Sequence, residues 1–310
     1  MARQLENQGR LQNAQELLET LYQDHPDNRG VFSQYSDILM KTQSFQKLLD
    51  LIREKENTGK IIPENSLLKA RAYYRQGKYD EALHTWDTLL QQNASDRLIY
   101  YKVASSMIRE RLLEEALKVY LEGRKKFNND DLFSLNIVNI YEALRQYKEA
   151  TGELIQYLHN HPQSMTIVEA KLLRFQGSDQ IITTVSTSLK QAIKKQPENT
   201  QFKELLLKYY IQAEYFQEGW KTVRTFFPVD KQNNENILFM FAENAYKAGS
   251  PQIAEKAYKT ILKTDSHFIP VENVYLGLAR TLEAQKNYRK AVQYYELVYL
   301  KKRQKCTTHL

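Results

Sequence analysis

Residues 77–90 read Gly77-Lys78-Tyr79-Asp80-Glu81-Ala82-Leu83-His84-Thr85-Trp86-Asp87-Thr88-Leu89-Leu90. Tyr79, Ala82 and Trp86 are spaced by three and four, which puts them on one face of a helix. Asp80 and Glu81 occupy its first turn, where the helix dipole favours anions. A small residue between two large rings marks a place where another helix approaches closely.

Outward from Ala82 the same frame recurs. A small or apolar anchor stands at Ala14, Leu48, Ala82, Ala116, Ala150, Val185, Gly219, Ala254 and Ala291, in steps of 34 to 37 residues. Three residues before it come Leu11, Phe45, Tyr79, Leu113, Tyr147, Ile182, Phe216, Pro251 and Tyr288. Four after it come Leu18, Ile52, Trp86, Tyr120, Leu154, Leu189, Val223, Tyr258 and Tyr295. Twelve before it runs Ala2, Ser36, Ala70, Ala104, Val138, Leu173, Leu207, Ala242 and Ala279, a column that lets a preceding antiparallel helix pack close. Each period therefore holds two amphipathic helices. The pattern predicts an all-α chain with about eight full repeats and a partial N-terminal one that keeps only the last turns of its first helix.

Composition agrees. Ten Gly and seven Pro in 310 residues suit helices joined by short turns, and the 42% apolar content is dispersed with a mean hydropathy of −0.62, so no stretch reaches the roughly 18 apolar residues of a membrane span. A lone Cys306 excludes an internal disulfide or a thiolate cluster. No charged-then-apolar leader opens the chain, which leaves the compartment open between cytoplasm and, if an export signal has been removed, periplasm.

The sequence resembles the tetratricopeptide repeat family, most closely in the third repeat, and the resemblance covers nearly the whole chain. It implies a right-handed superhelical solenoid over residues 1–303, followed by a short tail at 304–310. First helices would line a concave groove, and the function would be that of a non-enzymatic scaffold or adaptor without cofactors. On that geometry the groove positions, eleven and seven before each anchor, are Asp37, Lys41, Arg71, Arg75, Ser105, Arg109, Asn139, Arg174 and Lys208, with Tyr74, Tyr101 and Ile108 beside them. The stripe reads basic and is expected to receive an acidic or extended segment of a partner protein. The carboxylate clamp that holds chaperone C-termini in this family needs a Lys four residues before a groove Asn. Leu135 stands four before Asn139, which argues against it.

Other features carry less. Residues 165–198 include the Ser/Thr-rich, β-branched run "DQIITTVSTSLKQAI" and are expected to form a flex point. The polar run Pro228 to Asn236 reads as a loop. The last helix, "YRKAVQYYELVYLKK", has no clean solvent face, so it is expected either to be covered by more of a longer chain or to self-associate end to end, with Tyr294, Val298 and Tyr299 as the candidate contacts. Net charge +7 makes RNA the alternative partner, with one segment, "IREKENTGKIIPEN", faintly like an RNA-reading pentatricopeptide repeat. Many of the cations close helices, where the dipole accounts for them, so nucleic acid ranks second. His159 and His161 point apart on a helix, and His84 has no nucleophile or carboxylate arranged around it. The acid pairs Asp80-Glu81 and Glu114-Glu115 recur at equivalent positions and read as helix starts rather than as catalytic carboxylates.

Overall fold

A computed structural model of the chain describes residues 1–57, 62–228, 232–263 and 268–307. They form eighteen α-helices and no strand, in two compact units, Met1–Ile140 and Tyr141–Leu310. The first unit holds α1 (Ala2–Asn7), α2 (Leu11–Asp24), α3 (Arg29–Lys41), α4 (Phe45–Asn57), α5 (Pro63–Arg75), α6 (Tyr79–Gln92), α7 (Arg97–Arg109) and α8 (Leu113–Phe127). Helix α9 (Ser134–Ala143) straddles the division. The second unit continues with α10 (Tyr147–Asn160), a 3₁₀ turn at Pro162–Ser164, α11 (Met165–Leu172), α12 (Asp179–Lys195), α13 (Thr200–Gln212), α14 (Phe216–Phe226), α15 (Gln232–Lys247), α16 (Pro251–Ile261), α17 (Val271–Ala284) and α18 (Tyr288–Thr307). Within each unit consecutive helices pair and the pairs stack, which makes the architecture an all-α, helix-pair solenoid.

The anchors are the core. Ala14, Leu48, Ala82, Ala116, Ala150, Val185 and Ala254 have no exposed surface, and neither do Ile52, Trp86, Tyr120, Leu154, Leu189 and Tyr258 from the column four residues on. Each large side chain so buried contributes about 1.5–3 kcal/mol, which is why one anchor per period organises the whole stack. At Gly219 even a methyl would not fit, because a Cβ there would lie 2.8 Å from Cε2 of Phe241.

Short-range chemistry sets the helix ends. Asn28, Asp96 and Asn199 cap α3, α7 and α13, with Asn28 Oδ1 accepting from Gly30 and Val31 N–H at 2.9 and 3.2 Å. Between the two helices of a pair, one residue five before the anchor takes a left-handed conformation. It is Gly9, Gln43, Gly77, Arg111, Arg145, Glu214, Gly249 or Lys286, with φ from 58° to 79°. The next N–H then bonds back across the turn, as Lys78 N to Tyr73 O and Leu112 N to Met107 O do at 3.0 Å, which satisfies carbonyls the first helix leaves open.

The repeat at 165–198 departs from this rule. Helix α11 is only eight residues long, and the chain reaches α12 through Phe175 and Gly177 (φ 136°). Leu173, which the column twelve before the anchor predicts at the helix interface, is only half-buried; Leu172 and Phe175 fill the core instead. The Ser/Thr-rich run is one continuous 17-residue helix, in which Thr184 and Ser188 return their hydroxyls to Gln180 and Thr184 carbonyls. Two further boundaries differ from expectation. Residues 232–236 belong to α15 rather than to a loop, because Glu235 turns inward, fully buried, and accepts from Phe268 and Ile269 N–H at 3.0 Å each. Helix α18 runs on to Thr307 through the expected tail. Residues 58–61 of the pentatricopeptide-like segment and the side chain of Cys306 lie outside what is described.

Candidate functional site

In the first unit, α3, α5 and α7 are the first helices of successive pairs, and their groove positions meet. Asp37, Arg71, Tyr101, Ser105 and Arg109 line one concave pocket of about 370 Å³, together with Ser33, Glu64, Leu67, Leu68, Lys102 and Ser106. Tyr74 lies elsewhere. Its ring packs on Tyr79 (5.2 Å between centroids) and Trp86 (6.4 Å), within the helix pair.

The charges in this groove are mostly paired. Glu110, whose side chain is 4% exposed, accepts from Arg71 Nε at 2.7 Å and from Arg75 Nε at 2.8 Å, one oxygen to each. Lys102 donates to Glu64 at 2.6 Å and holds that carboxyl below the ordinary glutamate range. Lys41 pairs with Glu6 at 2.5 Å. Arg109 is exposed and makes no ion pair among the described residues, and the same holds for Asp37 across the pocket. Tyr101 is 42% exposed beside Arg109. Ile108 is half-buried, and Asn139 is exposed on α9.

The second unit follows the same rule. Arg174 donates to Glu142 at 2.8 Å and Lys208 to Glu169 at 2.6 Å. Lys171 stands near Arg174, and burial first, then that guanidinium, lowers its ammonium pKa. Two groove positions beyond Lys208 went unread in the sequence, although the column eleven before the anchor marks both. They are Glu243 and Arg280, which pair at 3.0 Å. Tyr258 also donates its hydroxyl to Glu243, and Arg280 lies over the Tyr246 ring at 5.5 Å. Reading cations alone makes the groove look basic. The signal that corrects it is an acid about one period from each paired cation, 35 residues for Arg75 and Glu110 and 39 for Lys208 and Glu169.

At the C-terminal helix, Val298 is buried against the rest of the unit, so it is not available as an end contact. Tyr294 is half-buried against Tyr275 at 5.9 Å, and Tyr299 is 65% exposed. His161 packs on Tyr157 at 4.6 Å. Among the described residues no group of three or more His, Cys, Asp or Glu could hold a metal ion, and no helix is long and apolar enough to cross a membrane.

Residues 67–131 and 239–305, one stretch in each unit, match the family model described as tetratricopeptide repeat. No curated protein matches the sequence. Among solved structures, the chain is similar to the C-terminal part of a TPR repeat-containing protein from Cytophaga hutchinsonii, with 13% identity over 85% of this chain and 94% of that one and a TM-score of 0.40. A tetratricopeptide repeat protein from Parabacteroides merdae gives 12% identity, 76% and 92% coverage and a TM-score of 0.30. The human IFIT1 dimer with m7Gppp-AAAA gives 15%, 93% and 67%, and 0.29. Nine anchors in frame, the turns between helices that repeat with them and a family model that matches one stretch in each unit identify tetratricopeptide repeats in both units of the chain.

Proposed function

We propose that this protein takes an extended segment of a partner protein into the concave pocket of its first unit, and that Arg109 receives an acidic side chain of that segment. The observation that carries this reading is a guanidinium exposed at the pocket wall without an ion pair among the described residues, beside the half-exposed ring of Tyr101. A guanidinium offers a carboxylate two parallel hydrogen bonds, and a neighbouring tyrosine supplies apolar contact. Arg71 and Arg75 add a net charge of +1, since two cations share the single Glu110 carboxylate. The same pairing supports a protein partner over RNA, because phosphate binding calls for an unbroken cationic stripe.

Panning a random peptide library against the full chain, then measuring the recovered peptides against Arg109→Glu, tests the reading. Acidic sequences should be enriched, and Arg109→Glu should weaken them at least about tenfold with the melting temperature unchanged. Recovery without acidic enrichment, or equal binding by the variant, discards the proposal. Reversing Arg71 or Arg75 would not test it cleanly, because a new carboxylate beside buried Glu110 disturbs the fold itself.

A further inference from the structure

Two charges in the concave pocket of the first unit are left over once the others cancel. Of the charged residues that line it, Glu64 accepts from Lys102 at 2.6 Å and Arg71 is held by Glu110 at 2.7 Å. Asp37 on α3 and Arg109 on α7 are both exposed and make no ion pair among the described residues. Helix α5 stands between them and turns the half-buried Leu67 and Leu68 into the pocket. The lining therefore runs from an acid, past an apolar stretch, to a base. A uniformly acidic segment that satisfied Arg109 would bring a further carboxylate toward Asp37, and like charges brought together without a counter-ion oppose binding.

We infer, resting on the proposed seating of an extended segment in this pocket, that the segment is dipolar and carries an Asp or Glu for Arg109 and a Lys or Arg for Asp37. Neighbouring helices pack with their axes about 8–10 Å apart, so α3 and α7, two steps from one another, are separated by about 16–20 Å. The long side chains of Arg109 and of the segment's own base span part of that distance. An extended chain advances about 3.3 Å per residue and turns alternate side chains to one face, so an acid and a base four residues apart, about 13 Å, reach the pocket from the same strand. The residue midway between them faces the same way, toward Leu67 and Leu68, and an apolar side chain there completes the match. A segment with one sign of charge is repelled by Asp37 or by Arg109, whichever it resembles.

Panning a random peptide library against the full chain, Asp37→Lys and Asp37→Asn in parallel tests this. The wild type should enrich peptides in which a Lys or Arg lies at one preferred distance, about four residues, from an Asp or Glu. Asp37→Asn should keep the acid and lose the base, and Asp37→Lys should replace the base with a further acid. A single wild-type peptide should bind Asp37→Lys at least about tenfold more weakly, and the same peptide with its base changed to Glu should recover most of that loss. Asp37 is exposed and makes no ion pair among the described residues, so both variants should melt as the wild type does. Acidic peptides with no accompanying base, an unchanged base preference in the two variants, or a charge exchange that restores nothing overturns the dipolar segment and leaves an acidic one for Arg109. Recovery of no peptide, or of peptides without acidic enrichment, overturns both.

Discussion

The helix pairs α5–α6 and α7–α8 on one side, and α11–α12 on the other, solve the same problem in different ways. In the first two, a single left-handed residue, Gly77 or Arg111, reverses the chain, and the next N–H closes the turn locally. In the third no such residue stands five before the anchor, and the first helix stops at eight residues. A long-range contact takes its place. Phe175 is fully buried, packs on Tyr147 at 5.5 Å, and its carbonyl accepts the Tyr209 hydroxyl at 2.6 Å from the next pair. The comparison teaches that the repeat can lose its local turn when a neighbouring pair supplies the hydrogen bond and the packing surface.

Substitutions break this comparison at either end. Phe175→Ala should have the largest effect, about 3–5 kcal/mol lost in urea unfolding, since it opens a cavity where no local turn holds the chain. On the regular side, pairs are tied across repeats by charge, and Glu110→Ala should cost about 3 kcal/mol by leaving Arg71, 14% exposed, without its counter-ion. Tyr209→Phe should cost about 1–2 kcal/mol, because the Phe175 carbonyl is left buried and unpaired.

Alkaline titration sharpens the contrast. Burial raises the Tyr209 phenol, and burial with the Glu19 carboxylate nearby raises Tyr35 to about 12, so both resist ionisation in the fold. Protons held more tightly by the folded state stabilise it fully below the ordinary tyrosine value of about 10, and that stability is lost as pH rises from there toward 12. Helix content followed against pH should fall in that window, less steeply in Tyr209→Phe. The smallest effects lie at the turns. Arg111→Gly should gain about 0.5 kcal/mol, since relief of left-handed strain outweighs the added freedom of the unfolded chain, and Gly77→Ala should lose about as much. Melting curves that rank these two substitutions in the opposite order would show that the turn is not held by its backbone conformation.

How far the groove could be read shows where sequence reasoning stops. The positions of Asp37, Arg71, Ser105 and Arg109 on one wall follow from counting back from an anchor, because helix geometry repeats faithfully. Whether a charge there is available does not follow. Arg71 and Arg109 look alike in the sequence, yet one is tied to Glu110 and the other is not, and the difference lies in the reach of side chains across neighbouring pairs. Val298 and Tyr299 are adjacent and both apolar, but one turns into the helix pair and the other outward.

The sequence by itself determined the helix pairs, the buried anchor column and the type of repeat, because the 34-residue period and the 3.6-residue helical turn are local and are repeated nine times. Only the tertiary structure decided which cations are free, why Glu235 is buried, how the repeat at 165–198 closes without its turn, and which face of α18 is left uncovered. Each of these depends on a partner 32 to 39 residues away or on the lack of one, and no local pattern of residues encodes that distance.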